Sequence, residues 1–206
     1  MPIYRNFNGS KKDIIFVHIP KTGGSYIKGV LEESVEDSLQ VIPNHHWIKE
    51  HYTLNEIASF NEIDISRSFI FTLVRNPMNK LLSTYNFFKN CKRMFPRFIE
   101  YLNFVENVVE NRFYLDPHYV VDYFSRYGID VNHFRPQAEF VNSRDLKIKY
   151  FNLENELDEF VVKMRDDFSI DLSQLRFNRN YLTDLNPSQI ARIKSLYSMD
   201  FDAFLF

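Results

Sequence analysis

The sequence predicts an α/β fold, with a central, mainly parallel sheet flanked by helices on both faces, and three features carry that prediction. Residues 13–19 (DIIFVHI) and 68–74 (SFIFTLV) are short apolar runs of strand length. Each leads through a turn into a helical pattern, so a strand–turn–helix unit occurs twice. Residues 146–151 (LKIKYF) alternate apolar and polar like a strand and precede another helical stretch. A chain of 206 residues fills one well-packed core, so one domain over residues 1–206 is expected.

The run 13–19 is almost continuously apolar, which suits a strand covered on both faces. Gly23 and Gly24 turn the chain, and Ser25 is available to cap a helix over 25–34. Residues 38–42 (SLQVI) read as a further short strand. Thr53, with Glu56 three positions on, makes a capping-box pattern for a helix over 53–60. After the strand 68–74, Pro77 sits where proline prefers to stand, in a first helical turn. That helix is expected to run to about Lys89, with Leu81, Leu82, Tyr85 and Phe88 inward. Helices follow over 97–110 and 116–127, the latter opened by Asp116-Pro117. Helices over 154–168 and 187–204 close the chain, the last opened by Asn186-Pro187. The Phe and Tyr residues of 85–104 and 113–127 recur at helical spacing and read as core.

Composition excludes several functions. The formal net charge is −2, so there is no global basic field for long nucleic acid. Cys91 is the single cysteine and cannot form an intramolecular disulfide, which fits a reducing compartment. The opening residues lack an apolar stretch of signal-peptide length, and every apolar run falls far short of the ~20 residues that span a bilayer. A cytoplasmic protein without a transmembrane segment is therefore expected.

The chemistry concentrates in two turns. The first, His18-Ile19-Pro20-Lys21-Thr22-Gly23-Gly24-Ser25, lies between a strand and a helix. Glycines there admit an anion close to the backbone, and the helix N-terminus aims unpaired N–H groups at it. Lys21 adds a charge, and Thr22 and Ser25 add hydroxyls, so phosphate or sulfate is the natural ligand. A tight turn with a solvated lysine is the competing reading. GxxxxGK[ST] is absent, and no strand ends in an obvious Mg²⁺-binding Asp, which weakens nucleotide hydrolysis. The second turn, Val74-Arg75-Asn76-Pro77, places Arg75 at a strand end, with Ser83 eight residues on. Arg75 can chelate a phosphate bidentately.

Together the two turns resemble the phosphosulfate-binding loop and the 3′-phosphate motif of the sulfotransferases. The likeness is greatest to the branch that holds heparan sulfate and chondroitin 2-O-sulfotransferases and small bacterial relatives. The family's HIPKTGG[TS] is matched by residues 18–25. Its VRNPxxRxxSxY is matched by residues 74–85, except that Lys80 replaces the usual Arg. His133-Phe134-Arg135-Pro136-Gln137 resembles the family's RPQ segment, and Asn152-Leu153-Glu154-Asn155 its strand-to-helix region. Tyr197, Asp200-Phe201 and Phe204 are similar to its closing pattern.

The resemblance implies a P-loop-like three-layer sandwich and 3′-phosphoadenosine 5′-phosphosulfate as donor cosubstrate, with no metal. Lys21, Thr22, Gly23, Gly24 and Ser25 would hold the phosphosulfate, with Lys21 also catalytic. Arg75 and Ser83 would hold the 3′-phosphate. The implied activity is in-line sulfuryl transfer to a hydroxyl, on a saccharide or another acceptor. In the family a histidine stands at the head of a helix upstream of the second motif. His51 fits, directly before Tyr52 and the capping Thr53, with Arg75 24 residues on. His51 is therefore the expected base, and His45-His46 the second choice, with Trp47 beside them to line the acceptor cleft. Arg135 and Gln137 are expected to shape the acceptor side or the loop near the donor. Adjacent histidines on a strand face opposite ways and lack a completing Cys or carboxylate, so metal binding is not expected. A magnesium-dependent kinase or NTPase is the rival enzyme, and a non-catalytic glycan- or partner-binding relative the rival outside catalysis.

Overall fold

The computed structural model describes residues 3–4, 13–33, 51–59, 64–143, 146–175 and 185–206. The predicted strand 38–42 and the candidates His45, His46 and Trp47 lie outside them. In chain order the elements are β1 (Ile3–Tyr4), β2 (Ile14–Phe16), α1 (Gly24–Glu33), α2 (Leu54–Ala58), β3 (Phe69–Val74) and α3 (Pro77–Lys92). There follow α4 (Phe98–Glu110), α5 (Pro117–Tyr127), α6 (Gln137–Val141), β4 (Lys149–Asn152), α7 (Leu157–Phe168), α8 (Pro187–Leu196) and α9 (Ser198–Phe204). The described chain forms two compact units, Met1–Arg75 with Glu139–Phe177, and Asn76–Ala138 with Asn178–Phe206.

The first unit holds a four-stranded sheet in the order β1-β2-β3-β4. β1 is antiparallel to β2, whereas β2, β3 and β4 run parallel, with Phe16 opposite Phe71 and Leu73 opposite Phe151. The fold is thus α/β with a mostly parallel sheet flanked by helices, as the alternation of strands and helices predicts. α1 turns Ile27 and Leu31 inward, one helical turn apart, and α7 turns in Leu157, Phe160 and Met164. These residues join Tyr4, Phe16, Phe71, Leu73 and Phe151 in one core. Stacked or tilted rings, Phe16 on Phe71 at 5.0 Å and Phe151 on Phe160 at 5.0 Å, fill it.

The second unit is helical. Leu81, Tyr85 and Phe88 of α3 pack with Tyr101, Leu102 and Val105 of α4 and with Phe134 and Tyr197. α3 starts at Pro77 as predicted, with the Asn76 side chain accepting from the Met78 N–H. The predicted helix 187–204 is instead two, α8 and α9, parted at Tyr197 (φ −114°, ψ 28°). There the chain leaves helical geometry and the buried Tyr197 hydroxyl donates to the Phe134 carbonyl at 2.8 Å. The predicted helix 154–168 begins at Leu157 because residues 153–156 make a turn on Asn152. In that turn the Glu156 carboxylate accepts from the Asn152 N–H at 2.7 Å, and the Asn152 side chain accepts from the Glu154 N–H at 2.9 Å. Among the described residues no helix is long and apolar enough to cross a membrane.

Candidate active site

β2, β3 and β4 are parallel, so the residues after their last positions emerge at one end of the sheet of the first unit. His18 to Gly24 follow β2, Arg75 follows β3 and Glu154 follows β4. Ligands of open α/β sheets bind at this carboxyl end.

The turn after β2 is bent by two left-handed residues, Lys21 (φ 65°) and Gly23 (φ 84°). A lysine in that region costs about 1–2 kcal/mol, so the surrounding contacts hold the turn in place. One is internal: the Thr22 hydroxyl donates to the Ile19 carbonyl at 2.8 Å, and Thr22 is fully buried. The Thr22 proton is therefore directed inward. Gly23 ends the turn by accepting from the N–H groups of Tyr26 and Ile27. The amides of Gly24 and Ser25 precede Tyr26, the first donor to the Gly23 carbonyl, so α1 offers them at its N-terminus. Its first turn carries no acidic residue, and Ser25 is exposed. Over ten residues α1 directs a partial positive charge to this turn. A half-buried Lys21, a positive helix end and open amides suit a phosphate or sulfate ester.

Arg75 is buried beside the turn, its Nη1 donating to the Lys21 carbonyl at 3.5 Å and its Nε lying 3.5 Å from a Glu154 carboxylate oxygen. The carboxylate and the carbonyl orient the guanidinium. Neither contact was evident from sequence, although Glu154 falls in the stretch that resembles the family's strand-to-helix region.

His51 stands at the same end. Its Nδ1–H donates to the His18 carbonyl at 3.1 Å, and the two imidazoles meet edge-on with centroids 4.6 Å apart. A carbonyl only accepts, so this bond places the proton of neutral His51 on Nδ1 and its lone pair on Nε2. The backbone then enters α2 through the capping box expected from sequence: Thr53 Oγ1 accepts from the Glu56 N–H at 3.2 Å, and the Glu56 carboxylate accepts from the Thr53 N–H at 2.7 Å. Replacing Thr53 by alanine is expected to cost about 1 kcal/mol, and so to lower the melting temperature by about 2–4 °C. A scan that shows no shift would mean the cap contributes nothing.

The remaining candidates lie in the second unit. Ser83 is on α3, half-buried. Arg135 is buried, its guanidinium 5.4 Å from the centre of the Tyr114 ring. Gln137 is fully buried, and its side-chain amide faces Asp200 at 3.4 Å. Asp200 was not singled out as a site residue from sequence. Its carboxylate accepts from the backbone N–H groups of Gln137 and Ala138 at 2.9 and 2.8 Å, capping α6. Lys80, the residue that departs from the family's arginine, is buried too. Its ammonium donates to the carbonyls of His133 and Arg135 at 2.9 and 3.2 Å. Burial lowers Lys80 to about 8 against the opposing pull of Asp200, and burial pushes the Asp200 carboxyl up. The segment 133–138 is thus held from both sides by buried charge.

A family model described as "Sulfotransferase family" matches residues 7–206. The chain belongs to the sulfotransferase family. No curated protein and no solved structure matches it. Membership carries transfer of a sulfuryl group as the class of reaction, and a hydroxyl as the class of acceptor. In this sulfotransferase chain the family match spans the turn after β2, His51, Arg75 and the segment 133–138 alike.

Proposed function

We propose that the chain transfers the sulfuryl group of 3′-phosphoadenosine 5′-phosphosulfate to a hydroxyl of a carbohydrate, with His51 as the base. The observation that carries this reading is the His51 Nδ1–H bond to the carbonyl of His18, the residue that opens the anion turn. It supports a base with a fixed tautomer beside a cradle for the donor.

The residues of the turn fit the donor's 5′ end. The amides of Gly24 and Ser25, the Ser25 hydroxyl and the Lys21 ammonium are donors without a competing acidic residue in the first turn of α1. When bound, the donor supplies an activated sulfuryl group on a phosphate leaving group. Lys21 and the helix end bring positive charge to the oxygen on which negative charge grows. Arg75, with Ser83, is assigned to the 3′-phosphate, the group that separates this donor from ATP. Nε2 of His51 takes the acceptor's proton. The buried bond from Thr22 to the Ile19 carbonyl assigns that residue to shaping the turn, so its contribution to the donor is its backbone. The same logic assigns Gln137 to the support of its segment, and leaves Arg135 as its candidate for the acceptor. A saccharide acceptor follows from the likeness to the 2-O-sulfotransferase branch.

The test is calorimetric titration with 3′-phosphoadenosine 5′-phosphate, without magnesium, beside ADP and 5′-AMP. The bisphosphate is expected to bind at least tenfold tighter than either control (about 1.4 kcal/mol). Lys21→Ala and Arg75→Ala are each expected to weaken it. Equal affinity for ADP would overturn the assignment and return the magnesium-dependent kinase to first place.

A further inference from the structure

We infer that His18 is a positioning residue which locks the anion turn and the base His51 into one unit, and that Gly24 is glycine because the His18 ring occupies the space of its side chain. The inference rests on the proposed function and adds to it a role for the residue that opens the anion turn.

Three contacts surround the His18 imidazole. It stacks on Phe16 of β2, centroids 5.6 Å apart and planes at 20°. It meets His51 edge-on at 4.6 Å and 68°. On the third side lies Gly24, the first residue of α1: a β-carbon placed there would stand 1.9 Å from His18 Cδ2 and 2.0 Å from Nε2. Such distances are far inside van der Waals contact, so no residue but glycine fits while the ring stays. His18 is almost fully buried, and its ring turns only by displacing Phe16, His51 or the start of α1. Its carbonyl, meanwhile, receives the His51 Nδ1–H. One residue therefore touches the donor cradle through its ring and the base through both ring and backbone.

Glycine 24 has a competing explanation. In anion turns a glycine lets phosphate oxygens approach the backbone, and a methyl group would then block the ligand whatever stood at position 18. The two explanations differ in a double-mutant cycle. Gly24→Ala alone drives its methyl into the imidazole under both, and is expected to weaken 3′-phosphoadenosine 5′-phosphate at least tenfold. If His18 is the obstacle, His18→Ala makes room, and the double variant recovers to within about threefold of His18→Ala alone. If the anion is the obstacle, the double variant binds as weakly as Gly24→Ala, and the inference is overturned.

His18→Ala carries a second test, which does not depend on whether Gly24→Ala folds. It keeps the backbone carbonyl but removes the ring from His51. Any loosening of the turn shows as weaker binding of the bisphosphate, so turnover is read at saturating donor. The variant's turnover with labelled donor is expected to fall by about tenfold or more, with a displaced acid limb in the pH–rate profile. A purely structural role would lower the melting temperature and leave that limb in place. Unchanged turnover and an unchanged limb would equally overturn the inference. Failure of the underlying reading is distinct: wild-type protein would then show no preference for the bisphosphate over ADP, before any variant is compared.

Discussion

Replacing His51 by alanine is expected to slow sulfuryl transfer by about 10²–10⁴-fold while leaving the affinity for 3′-phosphoadenosine 5′-phosphate within about twofold. The size follows from what the side chain does. The acceptor hydroxyl must lose its proton as it attacks, and the Nδ1–H bond to His18 leaves Nε2 as the nitrogen that receives it. Removing the imidazole removes this path and none of the donor's direct ligands, since Lys21, the α1 amides and Arg75 stay in place. The loss therefore falls on kcat. Transfer of labelled sulfate from the donor, to the first acceptor identified in a panel of saccharides, measures it. The acid limb of the pH–rate profile, where a base takes up its proton, should vanish with the side chain. His51→Asn separates geometry from basicity, because its amide nitrogen takes the place of Nδ1 as donor to the His18 carbonyl but is no base. If either variant keeps more than about a third of wild-type kcat, His51 is not the base, and the His45-His46 pair is next to be tested.

Those parts of the site that were legible in sequence are the local ones. A strand, a glycine turn and a helix start lie consecutively in residues 13–33, and their chemistry survives without knowledge of the rest of the chain. The same holds for the capping box at Thr53 and the proline start of α3, each set by residues within one helical turn. What escaped was set by distant partners. β1 has only two residues, and its identity as a strand comes from pairing with β2. α6 has five residues, and the N–H groups that begin it are satisfied by Asp200, 63 positions from Gln137. The residues of 187–204 carry one helical pattern, yet a buried bond from Tyr197 to Phe134 accompanies its division in two. Lys80 is the clearest case. In sequence it stands out only as a lysine where the family's motif has arginine, whereas the fold turns it onto two backbone carbonyls.

Removal of the Asp200 carboxylate is expected to be the most destabilising single change in the second unit, at about 3–5 kcal/mol for Asp200→Ala. Two backbone N–H groups, those of Gln137 and Ala138, would be left buried without an acceptor, and each such orphan costs about 1–3 kcal/mol. Lys80, also buried, would lose the carboxylate that favours its charged form. Asp200→Asn should fall between, because an amide offers one acceptor oxygen where the carboxylate offers two. The pH dependence has a definite sign. Lys80 titrates at about 8 in the folded chain against an ordinary 10.5, so the unfolded chain binds more protons between these values and stability rises with pH there. Without Asp200 the folded value drops further, and the variant begins to gain stability at a lower pH than wild type. The gap between the two should therefore narrow as pH climbs toward about 8 and stay level above it. Urea denaturation of both proteins at a series of pH values measures the gap. A loss below about 1 kcal/mol, or a gap that widens over the same interval, would show that the N–H groups and Lys80 find other partners. The cap would then be incidental, and the segment that carries Arg135 would owe its position to packing alone.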